Sequence, residues 1–238
     1  MAKERLDKLI ASTGRWSRRE VKNLVREGRV FADGQLAHSV EEKYDADTCR
    51  ISVNGEALTL RRHTYVMLHK PAGVLSATED GRGRTVLDLL TPELRKIGVF
   101  PVGRLDKDTE GLLLLTDDGE LAHALLSPKK HVDKVYYARV SGRLTPEDCA
   151  AFEVGMTLGD GLECLPAGLE ILAAGETSEC LVTLREGKFH QVKRMLAARG
   201  KPVTYLKRLS MGSLRLDDTL APGEFRLLTA AEEAQLQR

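Results

Sequence analysis

The first periodic signal along the chain is helical. Val21, Leu24 and Val25 recur at three- and four-residue spacing behind Ser17-Arg18-Arg19-Glu20. That tetrapeptide reads as a capping box, and Gly28 is a suitable stop. Leu6, Leu9 and Ile10 mark an earlier amphipathic turn. Val30-Phe31-Ala32-Asp33-Gly34-Gln35-Leu36 then reads as strand, Asp-Gly turn, strand, and Ile51–Glu56 repeats the pattern around Asn54-Gly55. Residues 59–64 (TLRRHT) are polar, basic and without periodicity, which predicts a linker. A small domain of helices plus a short hairpin is therefore expected over residues 1–58.

From Tyr65 onward strands and helices are mixed. Tyr65–Leu68 predicts a strand stopped near Pro71 and Gly73, and Thr85–Leu90 a short helix closed by Thr91-Pro92. Leu112–Leu115 is a continuous apolar run, the signature of a central strand buried on both faces. Glu120–Leu126 reads as helix, Val135–Val140 as strand, and Thr145-Pro146 as an N-cap with proline at the first helical position. Cys180–Leu184 predicts a strand. After the turn at Arg185-Glu186-Gly187, a helix is expected to bury Phe189, Val192, Met195 and Leu196 and to end at Gly200. Neighbouring strands joined by short turns, with helices between some of them, predict an α+β domain over residues 65–238 with a mixed, largely antiparallel sheet.

Length and composition fit this plan. The 238 residues, 42% hydrophobic and 30% charged, suffice for one large and one small globular domain. The net charge of +1 hides a skew, because residues 1–30 carry nine Lys/Arg against four Asp/Glu. Arg18, Lys22 and Arg26 lie four apart and share one helix face; Arg5, Lys8 and Arg19 stand nearby. This is the footprint of a nucleic-acid-facing end, although a basic helix face is also a common solvated surface. Cys49, Cys149, Cys164 and Cys180 are scattered without a C-x-x-C pair, which favours reduced thiols and a cytoplasmic location. The start MAKERLDKLI has no apolar core of signal-peptide length, and no run approaches the roughly 18 apolar residues of a membrane span. The six histidines lack zinc-ligand spacing, so no metal is expected, and neither G-x-S-x-G nor a Walker A sequence occurs.

The most unusual segment runs from Gly103 to Leu112, GRLDKDTEGL. Charged and turn-prone residues lead straight into the buried strand, placing carboxylates at the mouth of the core. From spacing alone, Asp106 and Asp108 read as loop residues bonding local backbone. A two-carboxylate glycosidase is disfavoured by the lack of a sugar-binding aromatic set, with one Trp in the chain.

R-L-D-K-L-I (5–10), S-R-R-E (17–20), G-R-V (28–30) and D-G (33–34) resemble an S4 RNA-binding domain. V-G-R-L-D-x-D-T-E-G-L-L-L-L-T-D-D-G (102–119) resembles the catalytic motif of pseudouridine synthases, in the RsuA-type branch that modifies small-subunit ribosomal RNA. H-K-P-A-G-V (69–74), S-P-K-K-H-V-x-K-x-Y (127–136), E-G-K-F-H-Q-V-K-R-M (186–195) and L-A-P-G-E-F-R-L-L-T (220–229) follow the same pattern in order.

The resemblance implies isomerisation of a uridine in 16S-type ribosomal RNA, without a cofactor. It implies Asp106 as the essential carboxylate, acting at C1′ as a nucleophile or assisting loss of the C2′ proton. It implies Tyr136 rather than its neighbour Tyr137 at the site, with Lys193 as the accompanying cation where many relatives have Arg. Arg194 is adjacent and is the alternative partner of Asp106. Arg104, Leu105, Arg194 and Lys70 are expected at the substrate. Arg82, Arg84, Lys129, Lys130 and Lys188 are expected to add phosphate contacts to those of Arg5, Lys8, Arg18, Arg19, Lys22 and Arg26. The expected partner is ribosomal RNA or an assembling small subunit, met by a monomer. Two rivals stand beside this reading: a non-catalytic RNA-binding or ribosome-assembly factor, and a synthase for a 23S ribosomal RNA uridine.

Overall fold

A computed structural model describes residues 3–127 and 130–236. The chain divides into two compact units. One comprises the residues up to Tyr65 together with Leu87–Phe100 and Thr116–Asp118; the other comprises Val66–Val86, Pro101–Leu115 and the chain from Gly119 on.

The first unit opens with β1 (Glu4–Arg5), α1 (Leu6–Ala11) and α2 (Arg18–Arg26). Ser17 caps α2 reciprocally: its hydroxyl accepts from the Glu20 amide, and the Glu20 carboxylate accepts from the Ser17 amide at 2.6 Å. Such caps contribute about 1 kcal/mol. The strands β2 (Val30–Ala32), β3 (Gln35–Leu36), β4 (Lys43–Tyr44), β5 (Ile51–Val53) and β6 (Glu56–Ala57) follow. Sheet order β3-β2-β5-β6 is antiparallel throughout, with β1 paired to β4. The predicted turns hold, with Asp33 and Asn54 at positive φ of 49° and 56° before their glycines. Leu6, Leu9, Ile10, Val21, Ile51 and Val53 form the core, so the helices pack on one face of this sheet.

The remaining elements are β7 (Tyr65–Lys70), a 3₁₀ turn (Val86–Leu89), α3 (Pro92–Ile97), β8 (Phe100–Pro101), β9 (Glu110–Thr116), α4 (Gly119–Leu126), β10 (Lys134–Ser141), α5 (Pro146–Glu153), β11 (Met156–Thr157), β12 (Glu163–Cys164), β13 (Gly168–Ala173), β14 (Thr177–Leu184), α6 (Gln191–Ala198), β15 (Val203–Met211), β16 (Leu214–Arg215), β17 (Phe225–Leu227) and α7 (Ala230–Leu236). The main sheet runs β13-β14-β10-β15-β9-β7-β17. Its pairs β13–β14, β14–β10, β10–β15 and β7–β17 are antiparallel, and β15–β9 is parallel. The α+β class with a largely antiparallel sheet is thus the observed one.

Leu112–Leu115 of β9 are fully buried, as their continuous apolar run predicts. β15, which joins β9 to β10 at the centre of the sheet, was not foreseen. Its sequence VTYLKRLSM breaks the apolar pattern with Lys207 and Arg208. Arg208 is nevertheless buried, and its Nε donates to the Leu112 carbonyl at 2.8 Å. Gly111 sits opposite Arg208 in that parallel pair at φ 104°; a Cβ there would lie 2.2 Å from the Arg208 carbonyl oxygen. Only glycine lets the two main chains approach so closely.

Two local expectations are corrected. The 85–90 helix is a single 3₁₀ turn. Phe189 is not a core residue of α6: the helix begins at Gln191, behind His190 at φ 51°, and Phe189 stays 74% exposed.

Candidate active site

The loop before β9 is fixed from beneath by donors that reach its backbone carbonyls. Lys70, at the end of β7, is 0% exposed, and its ammonium donates to the carbonyls of Pro71, Lys107 and Thr109 at 3.0, 3.2 and 2.9 Å. Burial pushes its pKa down to about 8, against the attraction of Asp108 and Asp106. The Gly73 amide donates to the Lys107 carbonyl at 2.7 Å. The Ser76 hydroxyl donates to the Leu105 carbonyl at 3.0 Å and accepts from the Leu105 amide at 3.1 Å. The Thr109 amide donates to the Asp106 carbonyl at 3.1 Å, closing the turn. The backbone on both sides of Asp106 is therefore held, and its side chain rests on a rigid support.

Three groups meet the Asp106 carboxylate. Lys193 Nζ lies 2.9 Å from Oδ2, His190 Nε2 lies 3.4 Å from Oδ1, and the Thr109 hydroxyl is 3.5 Å from Oδ2. Lys193 projects from α6 and also donates to Asp108 Oδ1 at 2.6 Å. Burial works against the Lys193 ammonium, but its hydrogen bonds to Asp108 and Asp106 outweigh it and raise the pKa above the ordinary lysine value. The same hydrogen bond from Lys193 holds the Asp108 carboxyl below its usual range. The cluster is a counter-charged carboxylate, partly open to solvent.

Tyr136 comes from the buried face of β10, where residues alternate between buried and more open from Lys134 on. It is 9% exposed and lines a small cavity of about 80 Å³ together with Asp106, Arg104, His190, Leu184 and Val192. Tyr137 points the other way and packs edge-on against Tyr205, ring centroids 6.1 Å apart. A wider cavity of about 560 Å³ adjoins Asp106, bordered by Ser76, Asp80, Arg104, Lys107, Phe189 and His190.

Asp106, Tyr136, Lys193, Arg104 and Leu105 thus converge, with Leu105 buried and Arg104 exposed. Two expectations need correction. Lys70 does not face substrate, because it is buried with its donors on backbone carbonyls. Arg194 does not accompany Asp106; it pairs with Asp160 Oδ1 at 2.5 Å. Successive helix residues are about 100° apart, so Lys193 and Arg194 face different ways. His190, Thr109 and Asp108 join the site without having been singled out for it. All three lie inside the quoted family motifs, which is the signal that was open to use. Lys188 bonds the Glu163 carbonyl and pairs with Glu186. Arg82, Arg84 and Lys130 are exposed, and Lys129 lies outside the described residues.

On the first unit, Arg5 pairs with Asp7 at 3.0 Å and Lys8 with Glu4 at 2.5 Å, while Arg26 donates to Asn23. Arg18, Arg19 and Lys22 are exposed and form no ion pair among the described residues.

Comparison with known proteins matches this architecture. Residues 64–198 fit the RNA pseudouridylate synthase family model, and residues 4–46 fit the S4 domain model. The chain belongs to the RNA pseudouridylate synthase family: it is an isomerase acting on RNA, with an S4 domain ahead of its synthase domain. It is 52% identical to the uncharacterized RNA pseudouridine synthase YtzG of Bacillus subtilis, over 96% of each chain. It is 39% identical to ribosomal small subunit pseudouridine synthase A of Vibrio cholerae, over 98% of this chain and 99% of that one. It is also 38% identical to ribosomal large subunit pseudouridine synthase B of Bacillus subtilis, over 98% of this chain and 96% of that one. A solved pseudouridylate synthase structure superposes with a TM-score of 0.68 at 35% identity, covering 98% of this chain and 99% of that one. Among the described residues no helix is long and apolar enough to cross a membrane.

Proposed function

We propose that this enzyme isomerises one uridine of small-subunit ribosomal RNA, with Asp106 as its essential carboxylate. The observation that carries this reading is the Asp106–Lys193 pair at 2.9 Å, set beside Tyr136 at the small cavity. The 39% identity to a small-subunit synthase supports the target.

The reaction breaks the N1–C1′ bond, turns the uracil and joins C5 to C1′. The C5 proton leaves and N1 gains one, so nothing is oxidised or hydrolysed. The ionised Asp106 adds to C1′ or takes the C2′ proton. Lys193 supplies the counter-charge that a carboxylate enclosed by RNA requires. The Tyr136 ring stacks on the flipped uracil, since reaching a base in folded RNA requires taking it out of its stack, and its hydroxyl assists proton transfer at C5. Arg104, exposed at the rim, takes a phosphate. The exposed α2 cations Arg18, Arg19 and Lys22 dock the RNA.

The test is pseudouridine mapping by carbodiimide labelling and primer extension. Ribosomal RNA comes from cells lacking the gene and from those cells carrying wild-type or Asp106→Asn protein. One 16S stop that disappears with the gene and returns only with wild type is the expected result. A stop with that behaviour in 23S RNA moves the target to the large subunit, the reading favoured by the 38% identity to a large-subunit synthase. Restoration by Asp106→Asn overturns the role of the carboxylate.

A further inference from the structure

Phe189 is an anomaly within an otherwise well-covered site. It is 74% exposed, although it follows a strand and precedes a helix that bury their apolar residues. The residue next to it is as unusual: His190 has φ 51°, in the left-handed region. That conformation brings the two rings face to face, centroids 3.8 Å apart and planes 19° from parallel. The His190 ring is in turn held by its Nε2 at 3.4 Å from Asp106. Phe189 is thus backed on one face and tied, through His190, to the carboxylate.

Its surroundings indicate what would cover it. Phe189 borders the wider cavity of about 560 Å³ and not the small one that holds Tyr136. Arg104 and Lys107 border the same cavity, are exposed and form no ion pair among the described residues. Of the two acids there, Asp106 is paired with Lys193, and Asp80 accepts from the amides of Arg82 and Gly83 at 2.9 and 2.7 Å with Lys107 near enough to act on its charge. An exposed aromatic face beside exposed cations matches a base with its phosphates. A flipped uridine also leaves its neighbour without a stacking partner.

We propose that Phe189, backed by His190, is a stacking subsite for the base of a nucleotide next to the target uridine. The subsite is distinct from the one that receives the uridine itself, and it rests on the reading of Asp106 as the catalytic carboxylate. Stacking on a phenyl ring tolerates any base, so Phe189 contributes affinity and placement rather than sequence choice.

The full chain is tested on unmodified 16S and 23S transcripts, using whichever is turned over. Binding is measured across a potassium chloride series, and turnover by release of tritium from C5. Phe189→Ala is expected to bind about tenfold more weakly at every salt concentration, the size of one lost stacked base. The salt dependence should keep its slope, because no phosphate contact is removed. KM rises more than kcat falls. Phe189→Trp recovers wild-type binding, and Phe189→Leu, apolar but without a π face, stays weak. Arg104→Ala instead flattens the salt slope. Wild-type binding by Phe189→Ala, or by Phe189→Leu, overturns the proposal. Asp106→Asn, run in parallel, separates the two readings. If it releases no tritium while Phe189→Ala binds normally, the stacking subsite alone fails. If it turns over, the assignment of Asp106 fails first.

Discussion

The lysines and arginines of α2 and those around Asp106 are the same residue types in opposite settings. On α2, Arg18, Arg19 and Lys22 stand in water without an ion pair among the described residues. Near β9, Lys70 is buried on three backbone carbonyls, and Lys193 is shared by two carboxylates. A solvated cation attracts phosphate over a distance set by salt and holds no fixed geometry. A buried cation has lost its hydration, so it persists only where several acceptors meet it, and it then fixes those acceptors in place. One region leaves its cations open to solvent, and the other holds a carboxylate in place.

Lys193→Met should break the second half of that contrast most visibly. Removing the cation beside the proposed catalytic carboxylate is expected to cost about a hundredfold in kcat. RNA binding should change little, and Lys193→Arg should recover most of the rate. Tritium release with binding in parallel checks this; equal losses in both would make Lys193 another phosphate contact.

Lys70→Met leaves three carbonyls without their donor and should lower stability by about 2 kcal/mol near neutral pH, read from denaturant unfolding. The loss should also depend on pH. The folded pKa of Lys70 is about 8, against 10.5 for a free lysine. Between those values the unfolded chain binds the extra proton, so this residue makes wild-type stability rise with pH across the window. The gap between wild type and Lys70→Met should therefore widen from pH 8 to 10.5. A gap that stays constant would show that the buried amine is not titrating there.

The smallest structural effect belongs to the first region. Changing Arg18, Arg19 and Lys22 together to Ala should leave stability within about 0.5 kcal/mol. It should reduce the slope of log affinity against log salt by about two, with binding weakened about tenfold. An unchanged slope would mean that this face does not meet phosphate.

How much could be read in advance follows the same division. The capping box at Ser17 and the turns at Asp33-Gly34 and Asn54-Gly55 were legible because each is decided by residues a few positions apart. The choice of Tyr136 over Tyr137 came from the K-x-Y motif of the family resemblance; strand alternation along β10 says only that the two face opposite ways. Partners distant in sequence were not legible. Nothing local tells that Lys193 reaches Asp108, 85 residues away, or that Arg194 turns to Asp160. Lys70 was misread because a lysine suggests surface, even though it closes a strand whose six residues are all buried. Phe189 was misplaced because the helical spacing of Val192, Met195 and Leu196 extends backwards without marking where His190 breaks it.

The buried amine under the loop that carries Asp106 also works as a natural reporter. At pH 8 about half of the Lys70 side chains would carry a nucleophilic lone pair, so only enclosure shields them from an acylating reagent. Acylation then requires an opening of the segment that holds Asp106. Peptide mapping of labelled Lys70 over time would report the open population of that segment in the free enzyme, and slower labelling with RNA bound would measure how far substrate locks it shut.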